Sequence, residues 1–211
     1  MNRYLRKICT MLLTGTVCLS VFSGCSSSEQ TPPLETSDAG ESAAEDGAGE
    51  EDSTKSSSLG EFSIEDIYGE TYTNEMFSEY DLTMVNIFAT WCTPCINEIP
   101  DLQELYIKMK DQGVGIAGIV LDTADLEGNK DEEAVEKAKI LAKELEVTYP
   151  FLIPDKALMS GRLEGIEAVP ETFFVDKNGM ITGESYTGSR SLKDWEKIVE
   201  TELDALEGDN Q

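Results

Sequence analysis

The apolar run Met84 to Phe88 leads into Trp91-Cys92-Thr93-Pro94-Cys95, and an amphipathic stretch follows directly. Strand, tight turn and helix in succession place two cysteines at a helix N-terminus. Unpaired backbone N–H groups and the positive end of the helix dipole converge there, so a thiolate is favoured over a thiol. Cys92 is expected at the exposed tip and Cys95 one turn inward. The C-x-x-C separation suits a disulfide that forms and breaks with little backbone movement, as two-electron exchange through a mixed disulfide requires. Two other readings compete. A purely structural bridge closing so short a loop removes little unfolded-state entropy. Half of a zinc site would need further ligands, and the chain contains no His and only one other cysteine in its expected mature form. The pair is therefore read as redox-active, with no metal and no cofactor.

That cysteine count depends on the N-terminus. Arg3, Arg6 and Lys7 precede an apolar stretch from Ile8 to Phe22 that ends in Ser23, Gly24 and Cys25. The stretch is short and runs into small residues, so residues 1–24 read as a secretory signal peptide and not as a spanning helix. Val21 to Cys25 resembles a bacterial lipobox, with Phe22 where Leu is commonest. In lipoproteins the cysteine of that box becomes the lipidated first residue, a role this resemblance assigns to Cys25. Cys9 and Cys18 would leave with the signal, and Cys92 and Cys95 would remain as thiols. The alternative is an ordinary secreted chain in which Cys25 is a spare thiol.

From Ser26 to Gly60 the chain is Ser, Glu, Asp, Gly, Ala and Pro with almost no large apolar residue. Such a segment cannot bury enough surface to offset its ordering entropy. Residues 25–60 read as a disordered, acidic tether that lets a domain roam on the order of 30 Å from a membrane. Residues 61–211 match one domain and carry 12 basic and 33 acidic side chains, within a whole-chain formal charge of −26. Nucleic-acid binding is not expected, because phosphate neutralisation needs clustered Lys and Arg.

Within that domain, Phe62 to Tyr68 alternates and then turns at Gly69 into Thr71 to Thr73, an edge hairpin. Met84 to Phe88 and Gly115 to Leu121 are continuous apolar runs, the pattern of strands covered on both faces. Between them Leu102, Leu105, Tyr106 and Met109 recur at helical spacing, giving a crossover helix that Pro100 is expected to kink. Asp131 to Leu145 reads as a second helix with Val135, Ala138, Leu141 and Leu145 on its buried stripe. Thr172 to Val175 and Ile181 to Tyr186 flank a turn at Asp176 to Gly179. Ser191 and Asp194 form a capping box for a closing helix whose apolar face is Leu192, Trp195, Ile198, Val199 and Leu206. The order implies an α/β sandwich around a mixed sheet.

Three blocks carry a family resemblance: Val85-Asn86-Ile87-Phe88-Ala89-Thr90-Trp91-Cys92-Thr93-Pro94-Cys95, then Glu98 and Pro100, then Val169-Pro170-Glu171-Thr172-Phe173-Phe174-Val175-Asp176. In this order they resemble the TlpA-like, or ResA-like, thioredoxin-fold oxidoreductases of the bacterial cell envelope, over Phe62 to about Leu206. The resemblance implies a thioredoxin-like fold: a central mixed β-sheet flanked by helices, with an N-terminal β-hairpin and a helical insertion. It implies that Cys92 attacks and Cys95 resolves, with Trp91 covering one side of the pair and Pro170 the other. Trp91, Thr93, Pro94, Val169 and Pro170 would meet the substrate, and Val169-Pro170 would be a cis peptide whose backbone pairs with it. Glu98, one turn beyond Cys95, would handle protons; the alternative is a solvent-facing helix residue. Asn86 stands where cytosolic thioredoxins carry a buried Asp, which shifts any proton relay to Glu98 or to water. Glu171, in place of a frequent Thr, would put a charge near the substrate groove.

A strongly oxidising thiol oxidase often carries a His inside its C-x-x-C loop, where it favours the thiolate and so the reduced form. Thr93 and Pro94 bring no such charge, so a reductant is expected. Its implied partners are oxidised envelope proteins and a membrane electron donor of the thiol-carrier type, with the membrane itself engaged through the lipid anchor and the chain acting as a monomer. Apocytochrome c cysteines and an envelope methionine sulfoxide reductase are the two target classes. A peroxiredoxin would need Thr or Ser at the position of Ala89 and Pro at that of Val85, and a copper chaperone a longer Cys spacing and a His. A thiol oxidase and a non-catalytic, ligand-binding lipoprotein of the same fold are the remaining alternatives.

Overall fold

The computed structural model describes residues 58–209. The signal segment, Cys25 and the expected tether as far as residue 57 lie outside the described residues. Strands β1 (Ser63–Glu65) and β2 (Thr71–Thr73) pair antiparallel. Their turn is organised by Asp66, whose Oδ1 accepts the N–H groups of Tyr68 and Glu70 at 2.8 and 2.9 Å. Gly69 supplies the left-handed residue, at φ +88°. This is the hairpin that alternation predicts, but it forms a two-stranded sheet of its own.

Strand β3 (Leu82–Phe88) is buried along its whole length and pairs in parallel with β4 (Val114–Val120), which is equally buried. The crossover between them is α1 (Thr93–Met109), which runs on as a helix through Pro100. Two glycines of β4 are required by close packing: a Cβ on Gly115 would meet the Tyr80 ring at 2.4 Å, and one on Gly118 would crowd Phe88 and Phe151 at 3.0 Å.

After β4 the chain forms α2 (Glu132–Glu144), capped by Asp131, whose Oδ1 accepts the N–H groups of Glu133 and Ala134. The buried line of α2 is Ala134, Val135, Ala138 and Ala142, while Leu141 and Leu145 are half-buried. The buried stripe is therefore rotated from the predicted one, with Val135 and Ala138 shared by both. Strand β5 (Phe151–Leu152) pairs in parallel with β4. Backbone bonds Ile67 N–H to Phe151 O and Ile153 N–H to Glu65 O, both 2.9 Å, lace β5 to the N-terminal hairpin. A short α3 (Lys156–Met159) then precedes β6 (Glu171–Asp176), β7 (Ile181–Thr187) and α4 (Leu192–Asp209).

The main sheet has the order β5-β4-β3-β6-β7, mixed because β6 runs antiparallel to β3 and to β7. Alternate residues of its central strands feed two cores. Met84, Phe88, Ile116, Val120 and Phe174 face α1, α2 and α4, with Trp195 and Val199 fully buried among them. Val85, Ile87, Ala117, Ile119, Phe173 and Val175 face the other way, onto Phe62, Phe77, Leu158 and Leu163. This is a thioredoxin-like fold, a five-stranded mixed sheet flanked by helices, with the expected N-terminal hairpin. Among the described residues no helix is long and apolar enough to cross a membrane.

Candidate active site

Parallel β3 and β4 end on the same side of the sheet, and Cys92 sits there as N-cap of α1. Cys92 and Cys95 are joined as a disulfide, Cα atoms 5.3 Å apart. The backbone N–H of Cys95 donates to Cys92 Sγ at 3.3 Å. An unpaired N–H at the first turn, aimed at that sulfur, is what lowers a thiol pKa in the reduced protein. Pro94 occupies the first turn at no cost, because its missing N–H would have had no helical partner. The loop before the pair is anchored by Asp122, which accepts the Thr90 N–H at 3.0 Å and the Thr90 hydroxyl at 2.6 Å.

Cys92 is less exposed than its tip position implies. In the oxidised pair it is 5% accessible and Cys95 1%. Capping folds the Cys92 side chain back onto the helix, and the carbonyl oxygen of Val169 lies 3.6 Å from its Sγ. No proton sits on that sulfur while the disulfide is closed; on reduction the thiol can donate to this oxygen. Val169-Pro170 is a cis peptide, as the resemblance implies, and Pro170 is buried beside it. Trp91, which the resemblance places over one side of the pair, is 71% exposed. Thr93 and Pro94 border a shallow cleft of about 360 Å³ together with Asn97, Glu98, Ser189 and Arg190.

Glu98 is only 2% exposed, so the solvent-facing alternative does not hold. Its Oε1 accepts the Arg190 backbone N–H at 2.7 Å and the Trp195 indole N–H at 2.8 Å; its Oε2 faces Asn86 Nδ2 at 3.5 Å. Asn86 also donates to the Thr172 hydroxyl at 2.9 Å. Burial pushes the Glu98 carboxyl above the ordinary carboxylate range, against the opposing pull of the Arg190 and Trp195 donors. Sequence reasoning did not find Arg190 or Trp195. One signal was available: a Trp on the buried face of a helix needs a partner for its N–H, and a buried acid is a strong one.

Glu171 does not place a free charge at the groove. Its carboxylate is held at 2.7 Å by the Arg162 guanidinium, which is itself buried and lies 4.2 Å over the Phe173 ring. The charge next to Pro170 is thereby neutralised by a residue that sequence reading passed over. Among the described residues no group of three or more potential ligands is arranged to hold a metal.

A thioredoxin-like sheet with a C-x-x-C disulfide capping its crossover helix, faced by a cis-proline loop, defines a thioredoxin-fold thiol-disulfide oxidoreductase. The chain belongs to the AhpC/TSA family, whose sequence profile matches residues 57–183. It is similar to the thiol:disulfide interchange protein DsbE of Haemophilus influenzae, 32% identical over 136 residues covering 64% of this chain and 67% of that one. The thiol-disulfide oxidoreductase ResA of Bacillus thuringiensis subsp. konkukian is 31% identical over 100 residues, 47% of this chain and 51% of that one. The matched region thus spans about half the length of that ResA. Among solved structures, a thioredoxin-family thiol:disulfide interchange protein from Chlorobium tepidum TLS superposes with a TM-score of 0.56 at 26% identity, covering 68% of this chain and 93% of that one. StoA from Bacillus subtilis, at 19% identity and a TM-score of 0.51 over 67% and 98% of the two chains, shares the fold.

Proposed function

We propose that this chain reduces disulfides in proteins outside the cytoplasm, tethered to the bacterial cell membrane through lipid on Cys25 and the acidic segment up to residue 60. The observation that carries the chemistry is the Cys92–Cys95 pair, with the Cys95 N–H aimed at Cys92 Sγ. In the reduced chain the Cys92 thiolate attacks one sulfur of a target disulfide. A mixed disulfide forms and the target's second sulfur leaves as thiolate. Cys95 then loses its proton and attacks Cys92 Sγ, which closes the intramolecular disulfide and releases the target's first sulfur. Two electrons pass to the target, which takes up two protons. A membrane dithiol carrier restores the reduced pair by the same exchange run in reverse.

Glu98 is the proton acceptor for Cys95. It is buried, its carboxyl is pushed up by desolvation, and it lines the same cleft as Thr93 and Pro94, the two residues between the cysteines. Val169 and Pro170 present backbone to the target, in line with the approach of the Val169 carbonyl to Cys92 Sγ. The absence of a charged residue between the cysteines favours the reducing direction. Cysteines of apocytochromes c and an envelope methionine sulfoxide reductase are the proposed target classes. Reduction of insulin disulfides by the purified protein, together with its reduction potential, tests the reading. Activity with a potential well below that of strong thiol oxidases is expected. A strongly oxidising potential would assign a thiol oxidase instead, and no exchange at all would leave a ligand-binding role.

A further inference from the structure

Three elements that are remote in sequence converge on Glu98: β3 through Asn86, the strap between β7 and α4 through Arg190, and α4 through Trp195. The two short bonds, at 2.7 and 2.8 Å, both end on Oε1. Two donors occupy both lone pairs of a carboxylate oxygen, so Oε1 has no position left for a proton. Neither donor is free to turn away. The Arg190 N–H belongs to the backbone, and its own guanidinium pins the strap by donating to the carbonyls of Thr187 and Gly188 at 3.3 and 2.7 Å. The Trp195 ring is fully buried and edge-on to Tyr186, with centroids 6.0 Å apart and the Arg190 guanidinium 5.1 Å from its own centroid. Oε2, by contrast, meets the Asn86 amide only at 3.5 Å.

We infer that Trp195 and Arg190 are positioning residues for the proton step of thiol exchange: by holding Oε1 they direct proton uptake and release to Oε2 of Glu98. The inference rests on Cys92 and Cys95 being the reacting pair. The proton that Cys95 gives up as it attacks Cys92 Sγ is taken by Oε2 and returned to solvent through the cleft lined by Thr93, Pro94, Asn97, Ser189 and Arg190. Electrons move among sulfurs alone, so the carboxyl is protonated and deprotonated once per turnover and is otherwise unchanged. The charged and titratable groups that act on Glu98 are the Arg190 guanidinium on the strap and the buried Tyr149 ahead of β5, and the cysteine pair lies one turn earlier on α1. Asn86 on β3, Thr172 on β6 and Trp195 on α4 contribute dipoles and no titrating group.

Trp195→Phe keeps a buried ring and removes the N–H. In the oxidised full chain, carbon-13 NMR of the Glu98 carboxyl is expected to show its titration midpoint moved upward, because a carboxylate that loses a donor holds its proton more tightly. The change corresponds to about tenfold in proton affinity, the order of a lost hydrogen bond to a charged group. The pH profile of insulin-disulfide reduction is expected to move with it, and to be unaffected by Trp195→Phe in a Glu98→Gln background. An unmoved Glu98 titration overturns the inference, as does an equal displacement of the activity profile in that background. If Trp195→Phe does not fold, benzothienylalanine at position 195 gives the same comparison with the ring shape kept. The oxidised-state titration needs no turnover, so a wild-type chain that reduced no disulfide would sink the proposed function while leaving the Glu98 measurement readable.

Discussion

Cys92 caps the helix on which Cys95 begins the buried side: the Cys95 N–H donates to Cys92 Sγ at 3.3 Å, and no side chain mediates the contact. A donor fixed by helix geometry acts on one sulfur of the pair and not on the other. The two thiols of the reduced chain are therefore chemically distinct.

At mildly acidic pH, iodoacetamide is expected to alkylate Cys92 of the reduced protein at least about tenfold faster than Cys95, since the lower-pKa thiol holds the larger thiolate fraction. Peptide mapping of the labelled chain gives the ratio. Cys95→Ser is expected to accumulate mixed disulfides through Cys92, and mass spectrometry of these adducts identifies the targets. Faster labelling of Cys95 would exchange the two roles.

Glu98→Gln removes a negative charge close to the pair. A neighbouring anion disfavours a thiolate, so the Cys92 pKa is expected to fall in the variant. A more stable thiolate stabilises the reduced form, and the potential becomes less negative, by ~30 mV for each tenfold change in the equilibrium. Thiolate absorbance against pH and equilibration with glutathione measure the two effects; because the groups titrate jointly, the values belong to the pair. Superimposable curves and equal potentials would reduce Glu98 to a packing residue.

The same substitution has a signed effect on stability. Burial raises the Glu98 carboxyl above its ordinary range, so the folded chain holds that proton more tightly than the unfolded chain does. Keeping the ionised group buried then costs stability, and the cost grows as pH rises from the ordinary carboxylate range through the raised folded value. Glu98→Gln is expected to match wild type below about pH 4 and to be the more stable of the two at neutral pH. Urea unfolding at both pH values checks this, and a variant that is less stable at neutral pH contradicts it.

Arg162 and Glu171 form an ion pair shielded from water, at 2.7 Å, immediately after the cis proline. Breaking a buried pair by removing one partner leaves an uncompensated charge. Arg162→Met is expected to cost about 3–5 kcal/mol, and adding Glu171→Leu to recover much of it. A double-mutant cycle in urea gives the coupling; additive costs would show that the pair contributes no interaction of its own.

Membrane attachment is tested separately from chemistry. Cys25→Ala is expected to release the protein from the membrane fraction while leaving insulin reduction by the chain intact, because a tether contributes local concentration and no reacting group. Unchanged partitioning would remove the lipobox reading.

Short-range features of this chain were legible residue by residue. The all-apolar runs of β3 and β4, the C-x-x-C pair at a strand-to-helix junction, the Asp176 to Gly179 hairpin turn and the Ser191 cap each depend on neighbours a few positions away, and each is where periodicity and turn chemistry place it. Strand β5 was not legible. Three residues between Pro150 and Pro154 are too few to show a period, and Phe151–Leu152 becomes a strand because β4 and the N-terminal hairpin supply its backbone partners. The environment of Glu98 lay equally beyond sequence. Spacing put it one turn from Cys95, but whether that face met solvent or protein depended on α4 closing over it, with donors 92 and 97 residues away along the chain. The same holds for Glu171, whose charge is cancelled by Arg162 from a different segment. Local sequence specified which thiols sit at a helix N-terminus, because that placement depends on neighbours within one turn; tertiary packing decided how Glu98 and the charges near the pair are held, because burial and hydrogen-bond partners for a carboxylate come from whatever the fold brings alongside.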